Sequence, residues 1–206
     1  MVIDEPHGPP KASVVAGALI NPVNVNRCTM VADHQHYIAA ALETYRSMEE
    51  TLGISLLEAM QMFVFHKDET KRQLYNEKQL QLPAYIQQLT NAEITLTQQF
   101  FSNKYGMAKV SPVWKIHATR LLSAWSFFLK NKGLLIQEQF NIAECRIRPE
   151  SIQYKTVSAG KIIFCEGAAG MHNPFFKNLP FTKNRGEALL LSVPDLPAEY
   201  VYHYSI

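Results

Sequence analysis

The chain has 206 residues, of which 47% are hydrophobic, and a formal net charge of +2 at neutral pH. That length and apolar content suffice for one sizeable core or two modest ones. The near-balanced, scattered charge gives no footprint for nucleic acid or an anionic membrane surface. The three cysteines, Cys28, Cys145 and Cys165, are odd in number and far apart, which reads as free thiols in a reducing compartment. No apolar run is long enough for a membrane span, and MVIDEPHGPP is no secretory leader. The expectation is therefore a soluble, cytoplasmic chain.

In chain order, MVID reads as a short strand and EPHGPPK, with three prolines and a glycine, as irregular. SVVAGALINPV is small and apolar until Pro22 stops it. Asp33 opens a long helix in which Tyr37, Ile38, Ala41, Leu42, Tyr45, Met48 and Leu52 keep helical spacing up to Gly53. LLEAMQMFVFHKD (56–68) is β-rich, Asp68 is placed to cap the polar helix ETKRQLYNEKQ, and Pro83 is placed to start another short helix. EITLTQQFF and GMAKVSPVW read as strands.

From Ile116 to Lys132 the pattern is that of an amphipathic helix with Leu121, Leu122, Trp125, Phe128 and Leu129 inward and Gly133 at its end. Beyond it LLIQEQF, ECRIR, SIQYKT, KIIFC, EALLLSV and EYVYHYS all read as strands. Helix, LLIQEQF, a meander and KIIFC together suggest a strand–helix–strand crossover carrying an antiparallel insert. The chain begins and ends inside strand-like sequence, which suggests a segment of a longer protein with sheet edges open to self-association.

Four stretches, in order, resemble the flavin-dependent D-amino-acid oxidase and glycine oxidase superfamily. They are MVID, KASVVAGALINPV, KIIFCEGAAG and PFTKNRGEALLL. The resemblance implies an α+β fold and FAD as cofactor. It divides the chain into a partial Rossmann-like FAD-binding domain (1–53 and 115–184) and an incomplete mixed-sheet substrate domain (54–114 and 185–206). The implied reaction removes a hydride from the carbon beside the nitrogen of a small amine or amino-acid substrate. The family's Gly-x-Gly-x-x-Gly turn, which sets pyrophosphate on a helix N-terminus, is absent from these residues; the nearest match is Gly167-x-x-Gly170.

The implied cofactor residues are Asp4, Ser13, Ala16, Gly17, Phe140, Gly167 and Ala168. One carboxylate can accept hydrogen bonds from both ribose hydroxyls, which suits Asp4 at a strand end; a solvated turn acid, or Glu5 in its place, is the alternative. Ser13 to Gly17 either line the diphosphate or start a buried helix. Phe140 stands where the family contacts adenine through its backbone, although an aromatic at a strand end also suits a core. Gly167, Ala168 and Ala169 either leave room for the cofactor or make a tight turn beneath a helix.

Other chemistry is weaker. His34 and His36 face apart on a helix and have no third ligand nearby, so no metal site is expected. Cys165 lies in an apolar strand without a paired histidine and reads as a buried, inert thiol. Arg185 faces either an active site or a salt bridge. No catalytic acid or base can be named from these residues. A reading from another class is a binding or interaction module with no cofactor.

Overall fold

The computed structural model describes residues 1–5, 12–182, 189 and 191–204. In chain order the elements are β1 (Val2–Ile3), α1 (Ala12–Val15), β2 (Leu19–Ile20), β3 (Val23–Asn24), β4 (Thr29–Met30) and α2 (His34–Leu52). Then come β5 (Leu57–Phe65), α3 (Glu69–Gln81), β6 (Ile86–Gln87), α4 (Asn91–Gln98), β7 (Met107–Ile116) and α5 (Ala118–Asn131). The rest is β8 (Leu135–Ile136), β9 (Cys145–Ile147), β10 (Ile152–Tyr154), β11 (Val157–Ala159) and β12 (Tyr200–Tyr204), with short 3-10 turns at 142–144, 167–172 and 174–176. The fold class is α+β, as expected.

The chain forms two compact units. Unit 1 comprises Met1–Gly8 and Gly133–Leu191; unit 2 comprises Pro9–Lys132 and Ser192–Ile206. These limits follow packing and differ from the functional division expected at 53/54 and 114/115. The Glu49 carboxylate of α2 accepts the amides of Leu56 and Leu57 at the start of β5, at 2.6 and 2.9 Å. Arg120 of α5 donates to the Ser55 carbonyl at 2.9 Å. Both helices therefore share a unit with the sheet.

Unit 2 is organised by a mixed sheet in the order β12–β5–β7–β2, with β6 also paired to β7. β5 and β7 run antiparallel from Leu57↔Ile116 to Phe65↔Met107 and shift register between Met60 and Met62. β12 lies parallel to β5, from Tyr200↔Gln61 to Tyr204↔Phe65. One face of the sheet contributes Met62, Val64, Ala108 and Val110 to a core closed by Val23, Cys28, Tyr75 and Ile86. Elsewhere on the sheet Phe63 is fully buried and stacks on Tyr200 at 4.6 Å, and Phe65 meets Phe101 at 4.9 Å.

The Asp68 side chain accepts the Lys71 amide at 2.7 Å and caps α3 as expected. The long helix ends at Gly53, whose φ of 65° suits a residue without Cβ. Pro83 begins a turn leading to β6 instead of a helix, because the residues after it are claimed by the Ile86↔Val110 pairing.

The segment expected as strand EITLTQQFF contains α4. Its capping box is complete: the Thr90 hydroxyl accepts from the Glu93 amide, and the Glu93 carboxylate accepts from the Thr90 amide at 2.7 Å. Glu93, Ile94, Leu96, Thr97, Phe100 and Phe101 are the covered positions, a helical spacing that β-branched composition obscured. α5 forms where expected, yet only Leu129 of its proposed inward face is buried; Leu122 and Trp125 are more than a third exposed.

In unit 1, β1 runs parallel to β8, with Val2↔Leu135 and Ile3↔Ile136. The expected meander is present as the antiparallel order β11–β10–β9. KIIFC (161–165) is not a strand. Ile162 and Phe164 are partly covered while Ile163 and Cys165 are exposed, so the alternation persists without a ladder partner among the described residues. Of EALLLSV, Leu189 and Leu191–Val193 form no strand, and the rest lies outside the described residues.

Thr90→Ala removes an acceptor that Thr90→Ser keeps. The alanine variant is expected to lose about 1 kcal/mol of unit 2 stability in denaturant titration, with the serine variant near wild type. Equal stability of the two would show that α4 is held by packing alone.

Candidate functional site

Asp4 follows β1 directly, and its amide donates to the Ile136 carbonyl at 3.0 Å. Since β1 and β8 are parallel, their carboxyl ends coincide and Asp4 stands beside the start of the 137–140 segment. Ligands of open parallel sheets collect outside the carboxyl ends of the strands. This arrangement brings an acid to that edge.

Phe140 stacks on Tyr154 at 4.6 Å, and Tyr154 is buried. The Tyr154 hydroxyl accepts the Asn141 amide at 3.2 Å, which fixes the backbone just after Phe140. Phe140 also meets Phe164 edge-on at 5.8 Å, and Phe164 meets Phe176 edge-on at 5.7 Å. The half-buried Phe140 side chain is therefore engaged in an aromatic cluster of unit 1.

Phe176 connects this cluster to the turn at 167–172. A Cβ on Gly170 would lie 3.9 Å from the Phe176 ring and 3.8 Å from that of Phe181, ordinary contacts, so Gly170 is a packing residue. Gly167 differs. Its φ of +55° disfavours any side chain, and a Cβ there would enter open space with no atom within 4 Å. Ala168 follows it, exposed, in the same turn. The turn is held by Asn173, whose amide nitrogen donates to Glu166 at 2.7 Å.

Ser13, Ala16 and Gly17 belong to unit 2 and are all exposed; Ser13 lies in α1, and Ala16 and Gly17 lie in the link to β2. The alternative of a buried helix start is thereby corrected, because α1 has four residues and none of them is buried. Arg185 lies outside the described residues. Cys165 is exposed, contrary to the buried thiol expected, because the strand meant to enclose it does not form. His34 is held by the Val31 carbonyl at 3.1 Å and the Tyr85 hydroxyl at 3.0 Å.

Sequence reasoning missed a buried polar cluster under α3. Lys71 is 8% exposed and donates its ammonium to the Asn26 carbonyl; the Tyr75 hydroxyl donates to the Val25 carbonyl at 2.9 Å. Together they tie the 21–30 loop to the helix. Burial lowers the Lys71 pKa and raises that of the Cys28 thiol. His66 is 3% exposed, and its Nδ1 has no hydrogen-bond partner among the described residues. Burial, then the charges of Lys71 and Arg72, hold its pKa down at about 4. The signal was the spacing of Lys71 with Leu74 and Tyr75, which places a lysine on the inward stripe.

A second feature of unit 2 is an open groove of about 440 Å³ where the β5–β7 register shifts, walled by Trp114, Tyr200, Gln61 and Glu199.

No family model matches the chain. Among solved structures it is similar to L-amino acid deaminase from Proteus vulgaris, at 11% identity over 73% of this chain and 36% of that one, with a TM-score of 0.49. It is also similar to iminodiacetate oxidase from Chelativorans sp. BNC1, at 16% identity over 78% of this chain and 45% of that one, with a TM-score of 0.47. The chain spans less than half the length of either. At these scores the likeness assigns it no activity. Among the described residues, no helix is long and apolar enough to cross a membrane.

Two predictions follow from the buried groups. His66 ionises near pH 6.5 when unfolded but only near 4 when folded, so the unfolded chain takes up the extra proton between these values. Stability is full above pH 6.5 and declines by about 3 kcal/mol as pH falls to 4. His203, lowered in the same direction by burial, adds to the slope. Denaturation midpoints against pH are expected to show this slope, and His66→Phe to flatten most of it. In thiol labelling of the native chain, Cys165 is expected to react first and Cys28 only on unfolding. Fast labelling that survives Cys165→Ser would contradict the exposures.

Proposed function

We propose that this chain is part of an FAD-dependent oxidoreductase acting on an amine or amino acid. The observation that carries the reading is the parallel β1–β8 pair with Asp4 at its carboxyl edge. It is supported by the order of the four resembling stretches and by the open, positive-φ position of Gly167.

In this reading the Asp4 carboxylate accepts the hydroxyls of the adenosine ribose. The backbone at Phe140, fixed through Asn141 and Tyr154, contributes to the adenine edge. Gly167 and Ala168 offer backbone without bulk, so a flat ring system can approach closely. Ser13, Ala16 and Gly17 enter by sequence resemblance alone. When bound, FAD supplies a two-electron acceptor for the hydride released from the carbon beside the substrate nitrogen, leaving an imine for water to hydrolyse. The chain's own contribution is to bind and orient. None of its side chains is assigned as the acid or base.

Gly167→Val in the full-length protein tests the reading. A branched side chain is disfavoured at φ +55° and would project into the open space, so flavin occupancy is expected to fall several-fold. The thermal transition of unit 1 should move far less. Unchanged flavin absorbance per protein would return the 167–172 turn to a purely structural role.

A further inference from the structure

We infer that the groove of unit 2 binds an organic ammonium ion with an apolar body and, among its described lining residues, offers no counter-charge to a substrate carboxylate. As a statement about substrate class it rests on the oxidoreductase reading; as a statement about binding it does not. The groove exists because of two irregularities in the sheet. β5 and β7 pair at Met60↔Val113 and again at Met62↔Val110, so Gln61 faces Ser111 and Pro112 across a bulge. β12 joins β5 only from Gln61 onward, so the Leu57–Met60 stretch has no β12 neighbour along its side. The cavity of about 440 Å³ lies at this junction and is of small-molecule size.

Its walls are held in place. The Tyr200 ring stacks on the buried Phe63 at 4.6 Å with 22° between the planes. The Tyr202 hydroxyl donates to the Pro197 carbonyl at 3.2 Å and fixes the approach to β12, where Glu199 stands. Trp114 sits in β7, opposite Ala59.

The charge of the lining is one-sided. Two aromatic rings attract cations, Gln61 and Ser111 each offer both a donor and an acceptor, and Glu199 is the charged residue among the described lining groups. Glu199 has no cationic partner among the described residues. The nearest bases in sequence to Trp114 are engaged elsewhere: Lys115 and His117 lie 3.9 and 3.2 Å from the Glu58 carboxylate. A carboxylate in the groove would meet Glu199 with no counter-charge among the described residues. An ammonium would meet a carboxylate and two π faces.

The chain has two tryptophans, so Trp125→Phe leaves Trp114 as the sole indole reporter. In that background benzylamine is expected to change Trp114 fluorescence saturably at neutral pH, while phenylacetate does not. Phenylalanine should bind at least about tenfold more weakly than benzylamine. Glu199→Gln, near isosteric at an exposed position, should weaken benzylamine about threefold without shifting the unfolding transition. Phenylacetate binding as well as benzylamine, an unchanged affinity in Glu199→Gln, or no saturable response would each overturn the inference. Flavin content measured on the full-length protein separates the two readings. A colourless protein that still binds benzylamine keeps the ammonium site and removes the oxidoreductase; a flavoprotein whose Trp114 ignores benzylamine does the reverse.

Discussion

The antiparallel pairing of β5 with β7 is the constraint on which unit 2 depends, since every other part of its sheet hangs from one of these two strands. Nine residues of one strand and ten of the other set the register that places Met62 and Val64 beside Ala108 and Val110 in the core. β12, β6 and β2 each cover only part of them. A slip of one residue would turn the core positions outward and expose the buried Phe63 and Phe65 environments together. The slip is blocked by the bulge at Gln61, which fits one register only, and the same bulge opens the groove. A device that specifies the fold thus also creates the concavity.

On the α3 side the sheet meets a core that is not wholly apolar. Lys71, Tyr75, Cys28 and His66 are all under a tenth exposed, and burial disfavours the charged form of each. Tyr75 and Lys71 are compensated by the Val25 and Asn26 carbonyls, which lie in the turn beyond the antiparallel β3–β4 pairing. His66 is not compensated at Nδ1 and remains neutral. The loop is therefore attached by polar contacts made in a dry place, where they are stronger than at the surface.

Much of this architecture was legible from residue patterns. α2, α3 and β7 were readable because their punctuation is local: Gly53 ends one, Asp68 starts another, and β7 alternates covered and open positions. α4 was misread because Ile94, Thr95 and Thr97 carry strand propensity, while its capping box lies in two polar residues outside the apolar run. KIIFC shows the opposite limit, since its alternation is that of a strand but a strand also needs a neighbour, which no local pattern reveals. The enclosed thiol expected at Cys165 failed with it. Of the candidate site, Asp4 was legible as an acid ending a strand; the parallel partner that gives it meaning lies more than 130 residues away in β8. The groove at Gln61 had no sequence signal, because a register shift is a property of two strands together.

The proposed role of this chain is to help hold a flavin, with Asp4 on the ribose and Gly167 at the ring. The flavin content of the full-length protein, wild type and Asp4→Ala, measured after extraction from folded, purified samples, tests it most directly. Close to one FAD per wild-type chain and a clear loss from the variant are expected, with both proteins showing the same cooperative unfolding. A folded wild-type protein that carries no flavin, and takes up none when FAD is added, would contradict it.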